Sequence, residues 1–205
     1  MKKLSILAAI AGLAMTVIAT TSPKKENAAT LKLDAAQSTF KWHAKKVTGE
    51  HWGYVKFSDG VVTVENKKLT GGTFNVDMST IDCQDLQGEY NGKLIGHLKS
   101  DDFFSVDKFK TSTLKIKTLS PIAGAKAGSN NYNVTADLTI KGITKEVAFP
   151  AQIIVAKDKV IANAEFDIDR TAYDIKYGSG KFFEGLGDKM INDNFNVKVR
   201  IVAGK

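Results

Sequence analysis

The segment HLKSDDFF, residues 97–104, places a histidine and two carboxylates beside two phenylalanines. Histidine and paired carboxylates are common general acid–base groups, so this segment is the first candidate for a catalytic site. Asp101 and Asp102 are sequence neighbours, however, and their side chains leave the backbone in different directions instead of flanking one reacting atom. We interpret Ser100, Asp101 and Asp102 as residues of a turn or helix cap, with contact to a ligand head group as the alternative.

Three histidines, His43, His51 and His97, match the smallest number of protein ligands in a catalytic zinc site. No two of them have the spacing that one helix face requires, and His43 falls on the lysine-bearing side of its segment. We predict no metal site and no cofactor. His97 is instead expected to bond a buried backbone carbonyl or the head group of a ligand.

A serine, a glycine-rich segment and an arginine complete the set of candidate chemical groups. Ser179 in GSG lacks the second spacer of a nucleophile elbow, and GKFFEGLG lacks the Lys-Ser/Thr of a phosphate loop. We therefore predict no catalytic residues and no enzymatic activity. Arg170 is expected to anchor a loop, by a salt bridge with Asp169 or Asp174, or to pair with an anionic head group.

The first residues of the chain have the three-part pattern of a secretory signal peptide. Lys2 and Lys3 precede an uncharged run from Leu4 to Ala19, and polar residues begin at Ser22. The run is shorter than the roughly 20 apolar residues of a membrane-spanning helix. We predict a signal peptide at residues 1–22, a periplasmic or secreted mature protein, and no stable membrane anchor.

The charge and cysteine content restrict the partners of the mature protein. Removing residues 1–22 takes two of the 29 basic residues and no acidic one, which leaves 27 against 22 and a net charge of +5. The lysines alternate with apolar residues instead of forming the basic face that nucleic-acid binding requires, so we predict no nucleic-acid partner. Cys83 has no cysteine to pair with and is expected to be a small buried residue, a reactive thiol being the alternative.

Alternation of apolar and polar residues dominates the rest of the 205-residue chain, which is 43% hydrophobic and 25% charged. This period of two indicates β-strands with one apolar face, and so many of them must close into a barrel or stack as a sandwich. Turns are predicted at Asp59-Gly60, Gly71-Gly72, Lys141-Gly142 and residues 157–159. The inward phases are Phe40, Trp42 and Ala44; Phe74, Val76 and Met78; Tyr132, Val134, Ala136, Leu138 and Ile140; Val147, Phe149, Ala151, Ile153 and Val155; Val160, Ala162, Ala164, Phe166 and Ile168; and Phe195, Val197, Val199 and Ile201.

Two segments depart from the alternation. Between Gln84 and Leu98, apolar residues recur every four positions, which predicts a marginal helix because glycines recur at the same interval. Residues 170–194 form a long, glycine-bearing and aromatic segment, which in a compact domain usually indicates a functional loop.

Several segments together resemble one known family. They are LDAAQSTFKWHAKKVTGEHWGYVKFSDG, GGTFNVDMSTID, GHLKSDDFFSVDKF, ADLTIKGITKEV, FDIDRTAYDIKYG and NFNVKVRIV. With them the chain, from about Leu31 to Ala203, resembles the YceI-like family of exported bacterial lipid- and polyisoprenoid-binding proteins. Two positions differ from the family pattern: Ser105 stands where an aspartate is usual, and Phe109-Lys110 stands where a proline is common.

The resemblance implies an all-β fold for residues 31–203, an extended antiparallel lipocalin-like barrel with one or two short helical segments. It also implies an apolar interior that carries a long-chain amphiphile: a polyisoprenoid, an isoprenoid quinone or a fatty-acid derivative. The alternatives are a hydrolase or isomerase acting on such a lipid, and a ligand-free structural or stress-response barrel. The sequence is also compatible with a homodimer. The expected ligand-binding residues are Phe40, Trp42, Phe74, Val76, His97, Phe103, Phe104, Leu138, Ile140, Phe149, Phe166, Arg170 and Tyr173.

Overall fold

Nine strands, one α-helix and three short 3₁₀ helices account for the regular structure of residues 28–204, the part of the chain that the structure, a computed structural model, describes. The predicted signal peptide lies outside these residues. No helix within residues 28–204 has the length and apolar character needed to cross a bilayer. The elements are β1 Ala29–Leu33, β2 Thr39–Lys46, β3 Gly49–Glu65, β4 Lys68–Asp77, α1 Gly88–Lys99, β5 Thr111–Pro121, β6 Tyr132–Ile140, β7 Ile143–Val155, β8 Lys159–Asp169 and β9 Ile191–Gly204.

The strands close into a single antiparallel barrel. Their order around the ring is β3–β2–β9–β8–β7–β6–β5–β4, and β4 pairs with β3 to complete it. Strand β1 pairs with β3 and β9 next to the point where β2 begins. The two strands therefore follow one another along a single position of the ring. The barrel therefore has eight positions, and the predicted all-β, lipocalin-like fold is confirmed.

The predicted alternation determines which face of each strand points inward. Along β6, Val134, Ala136, Leu138 and Ile140 are buried while the residues between them are half-buried. Side chains on the inward phase of the other strands pack against them, and each fully buried Val, Leu, Ile or Phe contributes about 1.5–3 kcal/mol. The driving force for the barrel is therefore this one-sided burial.

Two predicted turns are wrong because their residues lie inside strands, where Gly60 and Gly72 allow close packing. Strand β3 runs through Asp59-Gly60 with a register shift between Phe57 and Asp59 where it pairs with β4, and β4 runs through Gly71-Gly72. Gly60 lies opposite Phe74 in this pairing. A Cβ at Gly60 would come within 3.0 Å of the Phe74 ring, so glycine here makes room for an aromatic side chain.

Two of the hairpin turns adopt left-handed backbone conformations. Asn66 and Lys67, with φ of 50° and 60°, connect β3 to β4. Lys141 and Gly142, with φ of 51° and 73°, connect β6 to β7 as predicted. Consecutive positive φ values are typical of the type I′ turn that matches the twist of a hairpin.

Helix α1 begins at Gly88, four positions after the predicted start at Gln84. The preceding segment is extended because it pairs with the free edge of β3. The Asp82 N–H donates to the Tyr54 carbonyl at 2.9 Å, and the Gln84 N–H donates to the Trp52 carbonyl at 2.8 Å. These two bonds hold the segment along β3 beyond the end of β4, and the helix begins only after it.

Gly53 allows the extended segment to lie against β3. Its Cβ, if present, would overlap with the backbone carbonyl of Asp82. Trp42, the cross-strand partner of Gly53, donates its indole N–H to the same carbonyl at 3.0 Å. The glycine, the tryptophan and the carbonyl therefore form one contact at the edge of the barrel.

We expect Gly53→Ala to destabilise the barrel by about 1–3 kcal/mol because the added methyl group forces the Asp82 backbone away from β3. Gly71→Ala is the matched control, since a Cβ there meets nothing within 4 Å. The control should change the free energy of unfolding by less than about 0.5 kcal/mol. Urea denaturation of both variants measures the difference, and equal effects would contradict this account of Gly53.

Candidate functional site

The barrel interior contains an apolar cavity of about 170 Å³. All eight positions of the ring contribute to its lining, and Leu98, Phe103 and Phe104 close the lining at the end where α1 lies. Of the 36 lining residues, all but four are hydrophobic; the four are Ser112, Thr113, Arg170 and Asn192. The barrel is therefore open inside and not packed solid, and its interior suits hydrocarbon.

Aromatic rings form much of the cavity wall. Phe149 and Phe166, on neighbouring strands, stack with their ring centres 4.0 Å apart and their planes 4° from parallel. Phe104 meets Phe195 edge to face at 6.5 Å. Such contacts fix ring orientation and offer flat apolar surfaces without hydrogen-bond donors. A saturated or isoprenoid chain can lie against them without leaving a polar group unpaired.

Eleven of the thirteen predicted ligand-binding residues line this cavity, and two do not. His97 and Tyr173 lie outside the lining, and the ligand contacts of all thirteen stay predictions. Several lining residues outside the predicted set, such as Ala164 and Ile201, were on the predicted inward phase, so alternation was their signal. Ile175, Ile191 and Asn192 come from irregular segments or strand ends and had no such signal. The eleven predicted ligand-binding residues that line the cavity are Phe40, Trp42, Phe74, Val76, Phe103, Phe104, Leu138, Ile140, Phe149, Phe166 and Arg170.

The segment after α1 is a structural turn that delivers the paired phenylalanines to the cavity. Ser100 caps the helix: its N–H bonds the Gly96 and His97 carbonyls, and its hydroxyl donates to the His97 carbonyl at 2.8 Å. The predicted capping role is thus carried by Ser100. Asp101 instead accepts a bond from Lys108 at 2.8 Å, and the Lys108 and Ser105 side chains hold the pKa of Asp101 below its usual range.

His97 contacts a carboxylate and two aromatic rings. Its Nε2 lies 3.1 Å from Oδ2 of Asp102, so the expected bond to a buried backbone carbonyl is wrong. Its ring meets Phe103 and Tyr177 edge to face, with centres 4.9 and 4.5 Å away. His97 therefore holds the turn against the segment that follows β8.

Tyr173 is a core residue with an unpaired hydroxyl. Its side chain is 2% exposed, and within residues 28–204 its hydroxyl has no hydrogen-bond partner. Burial, with a smaller effect of the Asp169 charge, raises the pKa of Tyr173 to about 12, so the phenol stays protonated. Its place in the packed core gives it a structural role.

Arg170 lines the cavity and also anchors the segment between β8 and β9. Its guanidinium donates to four backbone carbonyls, at 2.8 to 3.1 Å, and its Nη2 lies 3.5 Å from Oδ1 of Asp193. The predicted salt bridge with Asp169 or Asp174 is wrong, because these acids pair with Lys181 and Lys176. The carbonyls belong to Ile175, Tyr177, Ile191 and Asn192.

Burial lowers the pKa of Arg170, which is 4% exposed, while the charges of Asp193 and Asp169 oppose the shift. A buried cation is tolerated only when its donors are satisfied, and here the carbonyls satisfy them. The loop therefore depends on this one side chain.

We expect Arg170→Met to reduce the free energy of unfolding by about 3–5 kcal/mol, since it leaves four backbone carbonyls without their donor. Lys198→Met removes an exposed pair with Glu165, 3.3 Å away, and should cost at most about 1 kcal/mol. Chemical denaturation distinguishes the two variants. Unchanged stability of Arg170→Met, together with loss of lipid binding, would contradict the anchoring role.

Ser179 and Cys83 have structural surroundings. Ser179 is fully buried, its hydroxyl accepts the Lys181 N–H at 3.2 Å, and its carbonyl accepts the N–H groups of Phe182 and Phe183. Cys83 is buried in the core as predicted, and burial, with a bond to Asp85, raises the pKa of its thiol. Neither group faces the cavity.

An antiparallel barrel that encloses an apolar cavity defines a lipocalin-like binding barrel. The family model described as the YceI-like domain matches residues 31–203. The chain belongs to the YceI-like family.

Among curated relatives, a UPF0312 protein of Pseudomonas aeruginosa strain LESB58 is 29% identical over 130 residues, 62% of this chain and 63% of the relative. Protein YceI of Escherichia coli O17:K52:H18 is 28% identical over 108 residues, 52% of this chain and 51% of the relative. The chain thus spans less than two thirds of the length of these relatives.

Two solved structures have the same fold. BcnA of Burkholderia cenocepacia superposes with a TM-score of 0.65 at 23% identity, over 83% of this chain and 99% of that one. A polyisoprenoid binding domain from Saccharophagus degradans superposes with a TM-score of 0.59 at 14% identity, over 85% of this chain and 97% of that one. At these identities the likeness shows the architecture.

Proposed function

We propose that this protein is an exported carrier that holds a long-chain amphiphile in the barrel interior. The ligand class is a polyisoprenoid, an isoprenoid quinone or a fatty-acid derivative. The observation that carries the proposal is the cavity itself, lined from all eight positions of the ring and hydrophobic at all but four residues. Membership of the YceI-like family and the likeness to a polyisoprenoid binding domain support the same ligand class.

The hydrophobic effect supplies enough free energy for carriage. Burying a chain of about 15 carbons contributes roughly 12 kcal/mol at about 0.8 kcal/mol per CH₂. Association costs several kcal/mol of that in lost freedom of motion. The remainder corresponds to a useful affinity, so the protein needs few polar contacts and discriminates by chain length more than by head group.

The polar residues of the lining suggest the orientation of the ligand. Ser112 and Thr113 lie where β5 begins, Arg170 lies where β8 ends, and Asn192 lies where β9 begins. In an antiparallel barrel with this strand order, these termini share one end, the end that α1 covers. The head group would lie at that end and the chain would extend toward the opposite, wholly apolar end.

The proposal includes no reaction. Among the residues that line the cavity there is no carboxylate, histidine, thiol or lysine, the groups that most often act as acid, base or nucleophile. A bound lipid would therefore meet aliphatic and aromatic side chains along its length. Carriage without chemistry fits this lining better than hydrolysis or isomerisation does.

A matched pair of alanines tests the site. Ala164 lines the cavity, whereas Ala136, expected from its strand phase to lie along the same channel, is fully buried and outside the lining. We expect Ala164→Phe to occupy the cavity, abolish uptake of a long-chain lipid and leave stability nearly unchanged. Ala136→Phe should instead cost about 1–3 kcal/mol or more by overpacking.

Fluorescent-lipid binding and thermal unfolding of both variants measure these outcomes. Lipid uptake by folded Ala164→Phe equal to that of the natural protein would show that the cavity is not the binding site. Equal destabilisation by the two substitutions would show that the cavity cannot accept a ring.

Native mass spectrometry of the protein purified from its own host tests the function. We expect a co-purifying lipid with an intact chain. A processed product would favour the enzyme, and protein without lipid would favour a structural barrel.

Export is part of the same proposal and has its own test. We expect the mature protein in the soluble periplasmic or secreted fraction, shorter than the full chain by about residues 1–22. Intact mass of that fraction measures the difference. Recovery of the full-length chain in the membrane pellet would contradict both cleavage and the absence of an anchor.

A further inference from the structure

Three metal-ligating side chains of different chemistry meet beside α1. The imidazole Nδ1 of His51 lies 2.7 Å from Oδ2 of Asp85, and the thiol of Cys83 lies 3.3 Å from Oδ1 of the same carboxylate. One ligand atom from each of the three residues lies within 4.8 Å of the other two. Imidazole nitrogen, thiolate sulfur and carboxylate oxygen are the three ligand types that Zn²⁺ takes from proteins.

The spacing of these atoms is close to that of a tetrahedral site. Bond lengths of about 2.0–2.3 Å place the ligand atoms of one zinc roughly 3.3–3.8 Å apart. Small side-chain rotations would bring the cluster to that geometry, because all three residues are already within reach of a common centre. His51 and Asp85 have side chains 28% and 24% exposed, so an ion can enter from solvent.

Hydrogen bonds already hold two of the three ligand residues in place. The Trp52 N–H donates to Oδ1 of Asp85 at 2.8 Å, which orients the carboxylate and leaves Oδ2 facing His51. Hydrogen bonds of this kind orient the ligands of metal sites and raise their affinity. Residue 83 is held in place because the Asn91 amide donates to its carbonyl at 2.8 Å.

We propose that His51, Cys83 and Asp85 bind a divalent transition-metal ion, Zn²⁺ being the best match to the ligand set. The ion would take one nitrogen, one sulfur and one oxygen ligand, and the thiol proton would pass to solvent on binding. Three protein ligands leave one tetrahedral position for water.

The position of the site suggests what the ion does. His51 lies on the same side of the sheet as its cross-strand partner Ala44, which lines the cavity. Cys83 and Asp85 belong to the extended segment that leads into α1. A bound ion would therefore fasten this segment to β3 at the end of the barrel that α1 covers, and it would stabilise that end.

Titration of the full chain, without a polyhistidine tag and with the thiol reduced, tests the site with Co²⁺ as the probe. We expect a near-ultraviolet charge-transfer band from thiolate to cobalt, visible bands of tetrahedral cobalt, saturation at one equivalent and displacement by Zn²⁺. His43→Gln is the matched control, because His43 also faces a carboxylate, Glu50 at 3.1 Å, and belongs to no such ligand group within residues 28–204.

Three variants distinguish a site formed by all three residues from metal binding by the Cys83 thiol only. Cys83→Ala should lose the charge-transfer band, and His51→Gln and Asp85→Asn should weaken Co²⁺ binding by about tenfold or more. Asp85→Asn keeps an acceptor for the Trp52 N–H, and His51→Gln alters a partly exposed side chain, so both should fold. Zn²⁺ should raise the melting temperature of the natural protein and of His43→Gln but not of Cys83→Ala.

Absence of the charge-transfer band in the folded natural protein would overturn the proposal. Equal Co²⁺ affinity of His51→Gln, Asp85→Asn and the natural protein would also overturn it, since the thiol would then bind without its neighbours. If Cys83→Ala does not fold, the Co²⁺ affinities of His51→Gln and Asp85→Asn, compared with that of the natural protein, test the proposal.

Discussion

Strand β9 pairs with β8 along one edge and with β2 along the other, which joins the last strand of the chain to one of the first. This pairing removes the free edges that an open sheet would present and gives the apolar faces a common interior. Trp42 on β2 and Phe166 on β8 face the same cavity only because both strands pair with β9, one along each of its edges. The cavity is a product of closure, because a flat sheet with the same side chains would have no inside.

Inside this ring, small residues control how closely backbone and aromatic rings approach. Gly53 admits the Asp82 carbonyl, which Trp42 then binds, and Gly60 admits the Phe74 ring. At Gly60 an aromatic ring takes the space of the missing side chain, and at Gly53 a backbone carbonyl takes it. The barrel wall is therefore continuous at these two glycines, and the edge of β3 is covered beyond the end of β4.

The sequence was sufficient for the parts of the molecule that follow from local periodicity. Alternation identified the inward faces of the strands, and eleven of the thirteen predicted site residues line the cavity. The turns predicted at Gly60 and Gly72 were wrong, because glycine occurs both in turns and where an aromatic ring packs closely on a strand. The position of the Phe74 ring, which decides between the two, is known only from the structure. His97 lies in the predicted helical segment and Arg170 in the predicted loop segment, but no periodicity identifies their partners, Asp102 and Asp193. The proximity of His51 and Cys83 could not be predicted either, since 32 positions separate them in the sequence.

The choice of arginine at position 170 determines how the loop between β8 and β9 responds to its surroundings. Its four main partners are peptide carbonyls, which do not titrate, and a guanidinium keeps its proton at any pH a folded protein meets. A histidine in the same place would release the loop near neutrality, and a lysine could not reach four acceptors with three donors. The hold of Arg170 on this end of the barrel therefore does not change over the pH range in which the protein is folded.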